Sequence, residues 1–366
     1  MIMKKNLYIL HQYGAPRHFE ALYFSKEETG NYNDIISTEF SFVRQLAKGL
    51  LRKDISTIKR SIRNILYLIN FLFTKNKDIV VGAAPYDIFI IYLTILKRNH
   101  NIIYYSSWPH WDLSNQPKKI YFKWQLKMWR KFLKNIKCVG VTSEVKKGLS
   151  SFTEDVTVIP HCINDDIFKP EIKKELGKLK ILYVGRLTED KGLHLIFEII
   201  KNKVFQDQVE WWFVGDGNLK SELFKLQSSH SNVKYLGKVN SQHRLAEIYN
   251  ECNLLLLPSI PTKRWEELFG IVLIEAMSCG VVPISTNCVG PKTIIDNGKD
   301  GFIINPRERD EIVGKIDLLI KDRLLLEDMS HNAIAKVKKM YTIKRTSTIW
   351  NDVLGNEKQD NKYKYN

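Results

Sequence analysis

Short apolar runs recur along this chain at 7–10, 79–82, 102–105, 139–142, 156–159, 181–184, 211–214, 233–236, 254–257, 282–284 and 302–304, with helical patterns between most of them. A strand with one face in water alternates apolar and polar residues. Near-continuous apolar runs of strand length instead belong to parallel sheets covered on both faces. Strand–helix alternation in two successive blocks predicts an α/β chain built from two doubly wound, Rossmann-like halves, with ligands at the carboxyl ends of the strands. A length of 366 residues suits two domains better than one. The loop-like stretch 160–180, which contains Phe168-Lys169-Pro170, marks the expected boundary. The expected domains are therefore 1–165 and 166–341.

Composition narrows the class. The five cysteines are scattered, with no C-x-x-C pair and no Cys/His metal spacing. That pattern argues for a reducing cytoplasm and against a disulfide framework or structural zinc. Residues 1–10 carry two lysines and then a short apolar run that reads as a first strand rather than a signal peptide. The longest apolar stretches, near 64–73 and 88–96, are about half of what a membrane-spanning helix needs. The expectation is a cytoplasmic protein, soluble or peripheral at the inner face of the membrane. The net charge is +16, and residues 1–170 hold 26 Lys and Arg against 14 Asp and Glu. The excess in one half points to a polyanionic partner; the abundance of Lys, Ile and Asn throughout the chain fits a codon bias, which accounts for the lysine count but not for the asymmetry.

The chemistry concentrates in the second half. In Trp265-Glu266-Glu267-Leu268-Phe269-Gly270-Ile271-Val272-Leu273-Ile274-Glu275, two carboxylates, Glu267 and Glu275, lie eight positions apart. The run from Ile271 to Met277 reads as a buried helix with Phe269-Gly270 at its start and Gly280 as its stop. A helix N-terminus between two carboxylates suits the phosphate of a sugar nucleotide, because its free N–H groups and dipole attract anions. The spacing alone fits equally well a Glu275 paired inside an ordinary helix. Earlier in the chain, Val184-Gly185-Arg186-Leu187-Thr188-Glu189-Asp190-Lys191-Gly192 is a strand end, a glycine turn, and then Arg186 and Lys191 five apart. Together these cations can neutralise a diphosphate without a metal, or they are two solvated surface charges.

These elements resemble the retaining glycosyltransferases of GT-B fold, family 4 in particular. The carboxylate segment is similar to the family's E-x7-E element, with Pro258-Ser259 upstream, Leu268 in place of the usual Gly, and Val281-Val282-Pro283 after it. Gly185 to Gly192 is similar to G-R-x-x-x-x-K-G. Gly215 in Val214-Gly215-Asp216-Gly217, and Gly237-Lys238-Val239, resemble the next two strand-end turns. The loops at 287–292 and 297–302 resemble the family's closing loops, with Pro291 replacing a Gly and Thr293 standing where an acid is common.

The resemblance implies a GT-B fold whose two domains face a central cleft, with 342–366 packing back on the first domain. It implies transfer of a sugar from a nucleotide-diphosphate sugar to a glycan or polyprenyl-linked acceptor, with retention at the anomeric carbon and no metal cofactor. Arg186 and Lys191 would hold the donor diphosphate, Glu267 the donor sugar and Glu275 the ribose hydroxyls. Gly185, Gly215, Gly237, Lys238, Val239, Phe269, Gly270 and Ile271 would line the donor site. In the first domain, only Gly14 remains of the family's glycine-rich turn, and Arg17 and His18 either face the cleft or are plain first-turn residues. The family's sugar-contacting histidine aligns with Ser106 or Ser107. Either His110 takes that role over or the role is absent.

On the acceptor side, residues 117–137 hold eight Lys or Arg and no acid, with Tyr121, Trp124, Met128 and Phe132 near helical spacing. That is the pattern of a helix lying in an anionic membrane interface, and equally of a core-packed helix with a solvated basic face. A second basic segment, 48–63, has six Lys or Arg and one Asp. No recognition motif for nucleic acid accompanies the charge. Two other classes stay open: a sugar-nucleotide 2-epimerase of the same fold, and a non-catalytic, membrane-associated sugar-nucleotide sensor.

Overall fold

The computed structural model describes residues 5–12, 16–115, 118–171, 177–263 and 265–355; Gly14 lies outside the described residues. The chain divides into two compact units, Met1–His161 with Thr346–Asn366, and Cys162–Arg345.

The first unit is built on a parallel sheet of β1 (Lys5–His11), β2 (Tyr32–Glu39), β3 (Asp78–Gly82), β4 (Asn101–Ser106), β5 (Lys137–Gly140) and β6 (Val156–Val158). Its spatial order is β2-β1-β3-β4-β5-β6. Its helices are α1 (Glu20–Thr29), α2 (Phe42–Arg52), α3 (Ile55–Phe73), α4 (Ile90–Asn99), α5 (Lys123–Leu133) and α6 (Ser143–Leu149). The central strands are near-continuously buried, as Ile9, Leu10, Val80, Val81 and Tyr104 show. β2 has no counterpart among the expected strands. As an edge strand it keeps polar residues such as Asn33, Asp34 and Glu39, which erase the apolar run.

The expected helix over 117–137 is shorter, and its apolar face is taken. α5 covers only Lys123–Leu133, and Trp129, Phe132 and Leu133 on it are fully buried in the unit's own core. Gln125 fixes its start by accepting from the Tyr121 and Phe122 N–H groups at 2.8 Å each and donating to the Tyr86 carbonyl. Trp129 Nε1 donates to the Asp87 carbonyl at 3.0 Å. The face read as a membrane surface is therefore largely a core face, and Tyr121 lies before the helix. The second basic segment, 48–63, falls on two helices, α2 and α3. They break at Lys53, whose φ is 53°, and Asp54 caps α3 by accepting from the Ser56 and Thr57 N–H groups.

The second unit repeats the scheme with β7 (Leu179–Val184), β8 (Val209–Val214), β9 (Val233–Tyr235), β10 (Leu254–Leu257), β11 (Val282–Thr286) and β12 (Phe302–Ile304), in the order β12-β11-β10-β7-β8-β9. Its helices are α7 (Leu193–Lys201), α8 (Lys220–Ser229), α9 (Gln242–Glu251), α10 (Ile271–Ser278), α11 (Val289–Ile294), α12 (Arg309–Lys321) and α13 (Arg323–Met340). All strand pairings in both sheets are parallel. The four leucines of β10 are fully buried at the sheet centre, as a strand covered on both faces requires. A last helix, α14 (Ile343–Leu354), carries the chain into the first unit. There Trp350 is buried with its ring 6.4 Å from Tyr105, and Ser25 Oγ donates to Asn351 Oδ1 at 2.5 Å.

Candidate functional site

In the second sheet the chain runs outward from β7 through β8 to β9, then returns to the other side of β7 to begin β10. The reversal between β7 and β10 is a topological switch point, where loops leaving adjacent strand ends diverge and leave room for a ligand. The loops that flank it carry Arg186 and Lys191 on one side and Glu267 on the other.

Glycines let the strand ends come this close. Gly185 N–H donates to the Val214 carbonyl at 3.0 Å, and Gly215 N–H donates to the Gly237 carbonyl at 2.9 Å. Gly215 has a φ of 147°, and a Cβ there would sit 1.8 Å from the Gly185 carbonyl oxygen, so no other residue fits. Tyr183 Oη donates to the Arg186 carbonyl at 2.6 Å and fixes the turn that carries Arg186; burial holds the phenol well above its ordinary pKa, so it stays a donor. The Ile260 N–H bonds the Asp190 carbonyl at 2.8 Å and joins the two loops.

The side chains then form a compact set of alternating charges. Arg186 Nη2 meets Asp190 Oδ2 at 2.8 Å, and Lys191 Nζ meets Glu267 Oε2 at 2.5 Å. The Lys191–Glu267 pair is about seven-eighths shielded from water, whereas Arg186 is largely exposed. Trp265 covers both cations, its ring centroid 4.7 Å from Lys191 Nζ and 5.7 Å from Arg186 Cζ. A tight turn holds that ring: the Thr262 N–H donates to the Trp265 carbonyl at 2.7 Å, and the Trp265 N–H donates to Thr262 Oγ1 at 3.1 Å. The first turn of α11 braces the carboxylate segment from behind, with the Val289 N–H donating to Glu266 Oε2 and the Gly290 N–H to the Glu267 carbonyl. A depression of about 790 Å³ lined by Thr188, Asp190, His194, Ile260, Thr262 and Arg307 lies beside this set, and Arg186, Lys191 and Glu267 do not line it.

The remaining expected residues separate. Gly270 caps α10 in the left-handed region at φ 89°, Ile271 opens that helix, and Phe269 is buried with its ring 6.1 Å from Tyr341. Gly237 stands at the end of β9 beside Gly215, and Lys238 and Val239 follow it, Lys238 exposed. Glu275 departs from its expected place. It is 0% exposed inside α10 and accepts from Tyr249 Oη of α9 at 3.0 Å, so it offers no surface to a ribose in this conformation. His110 sits in the first unit, after β4, with its ring edge-on to Trp108 at 5.6 Å.

A group that the sequence reading did not assemble lies at the strand ends of the first unit. His11 closes β1, His18 lies in the 3-10 turn that follows, and His161 comes after β6. The His18 and His161 rings are 4.2 Å apart and His11 and His18 are 5.9 Å apart. Tyr105 Oη stands 3.3 Å from His161 Nδ1. Burial lowers His11 to about 4. Burial, with repulsion from His11 and Arg17, lowers His18 to about 4, and His161 is pushed well below the ordinary value chiefly by burial. Their positions, 7 and 143 residues apart in sequence, gave no local pattern to read. Among the described residues no group of three His, Cys, Asp or Glu is placed to hold a metal ion.

The depressed values set a pH dependence. Between about 6.5 and about 4 the unfolded chain takes up protons that the folded cluster does not, so stability is present above the window and falls as pH drops through it. The melting temperature of the wild-type protein should decline from pH 7 to pH 4, and the decline should be shallower in His18→Gln. Parallel profiles for the two proteins would show that the cluster takes up its protons without unfolding.

Residues 164–336 match the family described as glycosyl transferases group 1. The capsular polysaccharide biosynthesis glycosyltransferase CapM of Staphylococcus aureus is 29% identical over 178 residues, 47% of this chain and 43% of the relative. A probable sucrose-phosphate synthase of Thermosipho melanesiensis is 31% identical over 198 residues, 52% of this chain and 45% of the relative. The chain thus spans about half the length of the curated relatives it matches. Among solved structures, HepE of Anabaena in complex with UDP superimposes with a TM-score of 0.68 at 16% identity, covering 96% of this chain and 100% of that one. Sucrose-phosphate synthase from Thermosynechococcus elongatus gives 0.69 at 13% identity, covering 96% and 98%. These likenesses show the fold, GT-B with two Rossmann-like domains. The stretch 164–336, which carries the switch-point loops and their cations, is thus the part of the chain that matches the glycosyl transferases group 1.

Proposed function

We propose that this protein transfers a glycosyl group from a nucleoside-diphosphate sugar to a glycan or lipid-linked acceptor, with retention at the anomeric carbon, in surface polysaccharide assembly. One observation carries the reading: Arg186, Lys191 and Glu267 converge at the switch point of β7 and β10, within the stretch that matches group 1 glycosyl transferases. The name of CapM and the UDP bound to HepE support the same direction.

In this reading the donor diphosphate displaces the internal carboxylates and takes over Arg186 and Lys191. The bond from the anomeric carbon to the diphosphate oxygen breaks as the acceptor oxygen bonds to that carbon on the same face. The acceptor proton passes to the departing phosphate, whose charge the two cations stabilise. The rate then comes from positioning and fixed charge and requires no protein nucleophile. Glu267, released from Lys191, is within the same set to receive sugar hydroxyls.

The test is a thermal titration with a panel of nucleoside diphosphates and their sugars. A ligand at 100 times its dissociation constant stabilises the fold by about 2.7 kcal/mol, enough for a clear rise in melting temperature. One nucleotide series should raise it in a concentration-dependent way, and Arg186→Ala should abolish the rise. No rise with any nucleotide would overturn the proposal.

A further inference from the structure

The helix α3 has its faces inverted for a folded domain. Its buried side is Thr57, Ser61, Asn64, Leu68 and Phe71, three of them polar, with Ser61 Oγ turned back onto the Thr57 carbonyl at 2.9 Å. Its water side carries Ile55, Ile62, Leu66, Ile69 and Phe73, which are 66, 48, 61, 48 and 83% exposed. Steps of seven, four, three and four place these five on one stripe, about 27 Å long at 1.5 Å per residue. At the end of α2, Leu50 and Leu51 are also exposed. The two helices pack closely there, since a Cβ on Gly49 would lie 3.0 Å from Ile58. α4 is tied to α3 by Tyr92 Oη donating to the Leu68 carbonyl, and Ile88, Ile91 and Ile95 on or just before it are nearly half exposed. Scattered apolar residues on a surface are ordinary, but an ordered stripe of large aliphatics marks a surface that something covers.

Charge indicates what covers it. Lys48, Arg52, Lys53, Lys59, Arg60 and Arg63 are exposed around the start of the stripe, and residues 64–73 carry no charge at all. The single acid of the hairpin, Asp54, is occupied as the cap of α3. A second copy of the same surface would bring six cations against six. An anionic lipid surface supplies both the phosphates for the cations and an apolar boundary for the stripe. We propose that the α2–α3 hairpin is the docking surface of the first unit for anionic membranes. Ile62, Leu66, Ile69 and Phe73 enter the headgroup–acyl boundary, and the six cations pair with lipid phosphates. The proposal stands apart from the donor reading and is tested without turnover.

The experiment is flotation of the full chain with vesicles of phosphatidylcholine alone or mixed with phosphatidylglycerol, at low and raised salt. The expected result is at least tenfold stronger partition onto the anionic vesicles, weakened by salt. Leu66→Glu with Ile69→Glu should lower it tenfold or more without lowering the melting temperature, because both side chains already face water. Lys59→Ser, Arg60→Ser and Arg63→Ser together should remove most of the anionic preference, while Lys127→Ser on α5 should change nothing. Failure to float with either vesicle would overturn the proposal. So would undiminished flotation of the Glu variant, or a concentration-dependent dimer in sedimentation that the Glu variant abolishes while flotation is absent.

Discussion

Arg186→Ala is expected to lower kcat/KM for glycosyl transfer by about 10²- to 10³-fold while leaving the melting temperature within a degree or two of wild type. The two effects separate because of where the guanidinium sits. Its side chain is 58% exposed and its partners are Asp190 at 2.8 Å and the face of Trp265, an arrangement that contributes little to folding. Removing a donor aimed at charge that develops in a transition state typically costs two to three orders of magnitude in rate. Arg186→Lys should recover only part of the loss, because an ammonium cannot present two parallel N–H groups to a diphosphate. Arg244→Ala, an exposed pair on α9, serves as the neutral control. Steady-state release of nucleoside diphosphate in the presence of acceptor measures all three. Turnover of Arg186→Ala within about threefold of wild type would remove Arg186 from the chemistry.

Glu275→Ala should act through the fold. The carboxylate is fully buried in α10 and takes the Tyr249 hydroxyl of α9 at 3.0 Å, so truncation deletes that acceptor and opens a cavity between the two helices. Losses of this kind amount to about 2–4 kcal/mol of unfolding free energy. Glu275→Gln preserves both volume and an acceptor oxygen and should cost clearly less. Urea unfolding distinguishes the two variants. If Glu275→Ala unfolds like wild type and instead weakens nucleotide binding, the carboxylate reaches the donor, and the closed contact with Tyr249 is not the conformation that binds.

The contrast between these two residues shows what could be read from sequence. Strands such as 254–257 were legible because burial on both faces leaves an apolar run of fixed length, and that signal survives without any tertiary knowledge. Arg186, Lys191 and Glu267 were legible as neighbours because they sit in loops next to such strands, where order along the chain already implies proximity. Orientation was not legible. The same helical periodicity that marked Phe132 as apolar left open whether its face met water or core, and the full burial of Trp129, Phe132 and Leu133 decided it. β2 escaped because Asn33, Asp34 and Glu39 break its apolar run, whereas the edge strands β6, β9 and β12 keep theirs. Trp265 stood in the most telling segment without a role, since nothing in spacing announces that a ring will lie over two cations 74 and 79 positions earlier in the chain. The histidine cluster needed β1 and β6 to be brought to one end of the sheet first.

The return of α14 into the first unit has a consequence for biogenesis. Ser25 meets Asn351 across 326 positions, and Tyr105 faces Trp350, so the first unit cannot close its core until those late residues have left the ribosome. The second unit, continuous from Cys162 to Arg345, ends only a few positions before those residues, so the two units complete at nearly the same point of synthesis. The usual order, in which the N-terminal domain is finished first during synthesis, does not hold here. During elongation the nascent chain must carry an incomplete first unit, with its exposed aliphatic stripe, through the synthesis of the whole second one.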